Sequence, residues 1–152
     1  MFFMNEFFYI FLAGLIIFFL VWFRKNKAAR HNNRILVIDD DKTFGMIVTA
    51  NLKREGYEVL WVPTGEQGLE MAGKNPPDLI ILDVMLPGIT GREVCSRLKE
   101  DSQTKDIPII FMTVKDSPSD IKAELEAGAI DHLTKPVDYG ELSSEIKKIL
   151  GN

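Results

Sequence analysis

The chain reads as an α/β protein: a doubly wound, five-stranded parallel sheet with five helices, preceded by one transmembrane helix. Three observations predict this. From Arg34 onward, strand-like runs alternate with helical stretches, five of each, as in a parallel sheet covered by helices on both faces. The runs 35–38, 79–82 and 107–112 are almost wholly apolar, as strands buried on both sides are. Between residues 7 and 23 no charge occurs, which as a helix spans roughly 25 Å.

The elements follow in order. Strand one occupies residues 34–39, and helix one runs from Lys42 to Glu55, with Asp41 as its cap and Gly56 closing it. Strand two covers 58–62. Thr64 with Gln67 three residues on is a capping box opening helix two, which stops before Asn75, Pro76 and Pro77. Strand three is 79–83, followed by the turn-rich segment 86–91. Helix three spans 92–100 and strand four 109–113. Ser117 and Asp120 form a second capping box, with Pro118 at the first helical position. Gly128 ends helix four, and a short strand five lies around residues 132–134. Asp138 with Glu141 caps helix five, which runs to Leu150. The sequence stops there, so a stand-alone domain without an output domain is expected.

The amino-terminal segment differs in composition. Eight of the ten phenylalanines precede Arg24. Tyr9 and Trp22 sit near the two ends of the apolar stretch, where amphipathic aromatics favour the headgroup region. A cleaved signal peptide would begin with basic residues and end in a small-residue cleavage site; this segment has Glu6 at its front and no such site behind. A core helix would show a polar face, and none is present. Residues 1–23 are therefore expected to be a retained membrane anchor. Arg24, Lys25, Lys27, Arg30 and Arg34 follow it, which places the rest in the cytoplasm, on the inner face of the cytoplasmic membrane. Residues 24–33 read as a basic juxtamembrane linker that reaches about 33 Å when extended, suited to anionic headgroups. The folded domain is expected over 34–152.

From residue 35 onward there are 13 Lys and Arg against 21 Asp and Glu. An acidic surface of this kind argues against a nucleic-acid partner. Cys95 is the only cysteine, so neither a disulfide framework nor a zinc site is expected, and it reads as a small apolar helix residue.

The chemistry gathers at strand ends. Asp39, Asp40 and Asp41 close strand one, Asp83 closes strand three, Thr113 closes strand four, and Lys135 with Pro136 follows strand five. Acids seldom end a buried strand unless they are paired, hydrogen-bonded or metal-bound. In open parallel sheets ligands bind beyond the carboxyl ends of the strands, where the chain order reverses. Carboxylates delivered there suit a hard cation such as Mg2+. Taken singly, an acidic triplet is a solvated turn or cap, a threonine satisfies backbone, and Lys-Pro is chance; their joint placement is not. An Asp carboxylate can serve as nucleophile in phosphoryl transfer, given a metal and fixed donors on the phosphoryl oxygens. Asp83 is then the nucleophile, Asp39 and Asp40 hold metal, Lys135 neutralises a phosphoryl oxygen and Thr113 donates to it.

From residue 34 to 150 the sequence resembles the receiver domain of two-component response regulators. The motifs are Ile-Leu-Val-Ile-Asp-Asp-Asp (35–41), Asp-Leu-Ile-Ile-Leu-Asp-Val-Met-Leu-Pro-Gly-Ile-Thr-Gly (78–91), Pro-Ile-Ile-Phe-Met-Thr (108–113) and Leu-Thr-Lys-Pro (133–136). The resemblance implies a flavodoxin-like sheet of order 2-1-3-4-5. It also implies a signalling module, not an enzyme acting on a separate substrate, in which Asp83 accepts phosphoryl from a histidine kinase or phosphotransfer protein. Asp40 would bind Mg2+ directly, Asp39 through water, with Asp83 and the backbone carbonyl of Met85 completing the site. Lys135 would precede a cis peptide bond, and Thr113 with residue 132 would form the switch. Two positions depart from the common pattern. Val114 stands where the family usually has a small residue and could slow access to the pocket. His132 stands where a Tyr or Phe often turns inward; it reads equally as a half-exposed histidine without a switching role.

Two other functions compete with a phosphorylation-controlled docking switch or relay intermediate. A phosphatase with an Asp nucleophile is expected to carry a second Asp two positions on, where this chain has Met85. A degenerate receiver, acting only through protein contacts, would have lost acceptor-site residues that are all present here. The downstream protein partner is not legible in the sequence.

Overall fold

The computed structural model describes residues 33–114 and 117–151. The expected anchor and nearly all of the linker lie outside the described residues. Among the described residues no helix is long and apolar enough to cross a membrane.

The elements are β1 (Arg34–Ile38), α1 (Lys42–Arg54), β2 (Glu58–Val62), α2 (Gly65–Lys74), β3 (Leu79–Asp83), α3 (Gly91–Glu100), β4 (Ile109–Thr113), α4 (Pro118–Glu126), β5 (Asp131–Thr134) and α5 (Tyr139–Leu150). All strand pairs are parallel and the sheet order is β2-β1-β3-β4-β5, the order expected. The order reverses between β1 and β3, and Asp39 and Asp83 flank that point. Asn33, assigned to the linker, is buried and its carbonyl accepts from the Glu58 amide at 3.2 Å. The folded domain therefore takes it in.

Each central strand sends alternate residues to opposite faces, as a period of two requires. Leu36, Ile38, Ile80, Leu82, Ile109 and Phe111 pack with Ala72 of α2 and Val94, Cys95 and Leu98 of α3. Ile35, Val37, Leu79, Ile81, Ile110 and Met112 pack on the other face with Val48 and Leu52 of α1 and Leu142 and Ile146 of α5. Every residue of β3 and β4 is buried. Each of their aliphatic side chains contributes about 1.5–3 kcal/mol by leaving water, which fixes the two strands whose ends carry Asp83 and Thr113.

The helix starts are set by side-chain caps. Asp41, Thr64, Ser117 and Asp138 each accept from a backbone amide two or three residues on, as expected, each stabilising its helix by about 1 kcal/mol. A fifth cap was not anticipated: Thr90 accepts from the Glu93 amide at 3.3 Å, so α3 begins at Gly91 instead of Arg92. Two other ends shift by one residue. β1 stops at Ile38, and α1 stops at Arg54, with Glu55 as its C-cap.

Candidate functional site

Three carboxylates and one ammonium meet at the carboxyl edge of the sheet. Asp39 directly follows β1 and is 1% exposed. Its amide donates to the Val62 carbonyl, and its Oδ1 accepts from the Asp41 amide at 2.8 Å. Asp83 ends β3, and its Oδ1 accepts from the Met85 amide at 3.1 Å. Lys135 Nζ reaches both acids, at 2.5 Å from Asp39 Oδ2 and 3.0 Å from Asp83 Oδ2. Asp40 is exposed. Asp39, Asp40 and Asp83 each offer a carboxylate oxygen within 4.8 Å of the others'.

Lys135 is placed by two further contacts. Its backbone amide donates to the Thr113 carbonyl at 2.7 Å, tying the exit of β5 to the end of β4. The ring of Phe44, near the start of α1, lies 4.5 Å from Nζ, a cation–π contact. The Lys135–Pro136 bond is cis.

The electrostatics follow from burial and pairing. Burial pushes the Asp39 carboxyl above its ordinary range, against the opposing pull of the Lys135 and Asp41 hydrogen bonds. Burial alone would lower the Lys135 ammonium, but its hydrogen bonds to Asp39 and Asp83 outweigh that and hold it above the usual lysine range. Among the described residues, one lysine meets a cluster of three carboxylates, touching two of them, which leaves an excess of negative charge. An all-oxygen donor set of this size and charge fits Mg2+, which takes hard oxygen ligands and retains several waters.

The remaining expected residues have distinct settings. Thr113 is fully buried at the end of β4, the strand beside β3. The segment after Asp83 turns outward, leaving Met85 56% exposed, and Val114, just beyond β4, is 67% exposed. His132 is half-buried in β5 and has an acidic neighbour. Glu124 of α4 is fully buried, neither carboxylate oxygen has a hydrogen bond among the described residues, and Arg92 is 3.9 Å away. Burial pushes the Glu124 carboxyl above its ordinary range, against the charges of His132 and Arg92. Cys95 is a core residue as read: its Sγ donates to the Ala127 carbonyl at 3.2 Å, and burial raises its thiol to about 11.

Three contributors were not found by sequence reasoning: Phe44 over Lys135, Trp61 on the Asp39 carbonyl, and Gly91 against the Asp83 backbone. The Trp61 indole N–H donates to the Asp39 carbonyl at 2.9 Å. A Cβ on Gly91 would stand 2.0 Å from the Asp83 carbonyl oxygen. Neither contact has a signal in local sequence, although Gly91 stands in a quoted motif.

Known proteins share both the sequence and the fold. The response regulator receiver domain model matches residues 35–147. The alkaline phosphatase synthesis transcriptional regulatory protein PhoP of Bacillus subtilis is 42% identical over 119 residues, covering 78% of this chain and 49% of that protein. The chain thus spans about half the length of this curated relative. Among solved structures, the chemotaxis protein CheY4 of Vibrio cholerae is 32% identical with a TM-score of 0.74, over 77% of this chain and 98% of that one. The beryllofluoride-activated N-terminal receiver domain of Klebsiella pneumoniae RstA is 31% identical with a TM-score of 0.73, over 79% of this chain and all of that one. The family model spans most of the chain, and the chain belongs to the response regulator receiver domain family of two-component signalling.

Proposed function

We propose that this chain is a membrane-anchored receiver that takes a phosphoryl group onto Asp83 from a histidine kinase or phosphotransfer protein. It then acts as a docking switch or relay intermediate. The observation that carries this is the Lys135 ammonium bridging Asp39 and Asp83 at 2.5 and 3.0 Å, with Asp40 in the same oxygen cluster. In the transfer, an Asp83 carboxylate oxygen attacks phosphorus and forms the acyl phosphate. The bond from phosphorus to the donor's imidazole nitrogen breaks, and that nitrogen keeps the electron pair. Lys135 exchanges its carboxylate contact for a phosphoryl oxygen, and Thr113 donates to another. Asp40 would hold Mg2+ directly and Asp39 through water, with Asp83 and the Met85 carbonyl completing the set. Bound there, Mg2+ offsets the repulsion between anionic acceptor and anionic donor. The exposed Val114, directly after Thr113, slows entry of water and small donors.

Phosphorylation adds roughly −1.5 to −2 charge at this edge. Thr113 moves toward it, and His132, in the switching position, changes its relation to α4. The altered face of α4, β5 and α5 is read by a protein partner. The acidic surface argues against nucleic acid. Residues 1–23 hold the domain at the inner membrane, in the cytoplasm, where confinement raises its effective concentration for a membrane-bound partner.

Two experiments test the reading. Beryllofluoride is expected to bind only with Mg2+, and Asp40→Ala is expected to weaken that binding at least roughly tenfold. Binding that survives chelator would remove the metal role, and no binding under any condition would favour the degenerate, contact-only receiver. For the anchor, carbonate-washed membranes should retain the full-length protein. Release into the wash would show that residues 1–23 do not span the bilayer.

A further inference from the structure

We infer that Trp61 is a positioning residue for the metal and phosphoryl site, acting through the peptide that joins Asp39 to Asp40. The inference rests on the proposed Mg2+ role of these acids. β2 grips Asp39 from its side of the sheet at two points, one on the peptide before it and one on the peptide that leads to Asp40. The Asp39 amide donates to the Val62 carbonyl at 3.1 Å, and the Trp61 indole N–H donates to the Asp39 carbonyl at 2.9 Å. A trans peptide is planar. Holding its carbonyl therefore also sets the N–H and Cα of Asp40, the exposed acid of the cluster, which has no buried side chain of its own to fix it.

The space for the indole comes from Gly45 in α1. A Cβ there would lie 2.1 Å from Trp61 Nε1, 2.4 Å from Cδ1 and 2.6 Å from Cε2. No side chain at residue 45 is compatible with the ring in this place. Glycine in a helix interior is less favourable than alanine, and the helix carries that cost where the ring reaches the acid segment. The ring is half-buried and packs against the same cluster as Phe44, which covers Lys135. The acid arm and the lysine arm of the site are thus steadied from one face of the sheet. Groups that orient metal ligands from outside typically change affinity 10–100-fold when removed.

The test is Mg2+ titration of the full chain by calorimetry, alongside urea unfolding without metal. Trp61→Phe keeps a ring and removes the donor; it is expected to weaken Mg2+ binding roughly tenfold. Gly45→Ala should displace the ring and weaken binding to a similar extent. The double variant should bind no worse than either single one, because both act on one contact. Unchanged Mg2+ affinity in Trp61→Phe, whatever happens to the unfolding midpoint, would make the indole a packing residue only and overturn the inference. Additive losses in the double variant would overturn it as well. Failure of the wild-type chain to bind Mg2+ would sink the functional reading along with it, so the two failures are distinguishable.

Discussion

Asp83→Asn is expected to abolish covalent labelling by an acyl-phosphate donor, read as loss of the phosphoryl mass on the intact chain. Three acids lie in the cluster, and their settings separate them. Asp40 is exposed. Asp39 is 1% exposed, with Oδ1 held by the Asp41 amide and Oδ2 by Lys135. Asp83 is the more accessible of the two lysine-bound acids, at 7% exposure. It also ends the strand next to β4, which brings Thr113 to the same edge. Asparagine keeps the shape and removes the nucleophilic charge, and neutralising one of three crowded carboxylates should not unfold the metal-free protein. A folded Asp83→Asn protein that still takes label, mapped to Asp39 or Asp40, would reassign the acceptor.

Gly91→Ala should destabilise the domain by about 3 kcal/mol, at the upper end of what overpacking costs. Its Cβ would stand 2.0 Å from the Asp83 carbonyl oxygen and 2.9 Å from both the Asp83 carbonyl carbon and the Val84 Cα. These are backbone atoms, so no rotamer change relieves the clash. Either the start of α3 or the end of β3 must move. The Gly91 amide also donates to the Val84 carbonyl at 3.0 Å, a bond that the movement strains. Helix propensity alone would favour alanine by about 1 kcal/mol, so the sign of the change decides which effect wins. A urea midpoint at or above that of wild type would show that the close approach is not rigid. Because Asp83 sits on the displaced backbone, Mg2+ affinity should fall together with stability.

Much of the site was legible because its parts are local. Each of Asp39, Asp83 and Thr113 ends or directly follows an apolar run, and a parallel sheet delivers all strand ends to one edge. Knowing the strands therefore placed the acids together before any coordinate did. The caps at Asp41, Thr64, Ser117 and Asp138 were readable for the same reason, since donor and acceptor lie within three residues. Thr90 escaped because Pro87, Gly88 and Gly91 around it read as turn, and turn chemistry masked a helix start.

The sequence by itself determined the α/β class, the five strands, four of the five helix starts and the acid, hydroxyl and lysine positions, because periodicity and capping act over a few residues. Tertiary structure alone decided how those groups are held. It set the lysine against Asp39 and Asp83 at once, Phe44 over that lysine, the indole of Trp61 on the Asp39 carbonyl in the space left by Gly45, and Gly91 against the Asp83 backbone. It also left Glu124 buried beside Arg92 and within the field of His132. These contacts join residues from different elements. Their existence depends on which helix crosses to which face and how closely it packs, and no short-range pattern encodes that distance.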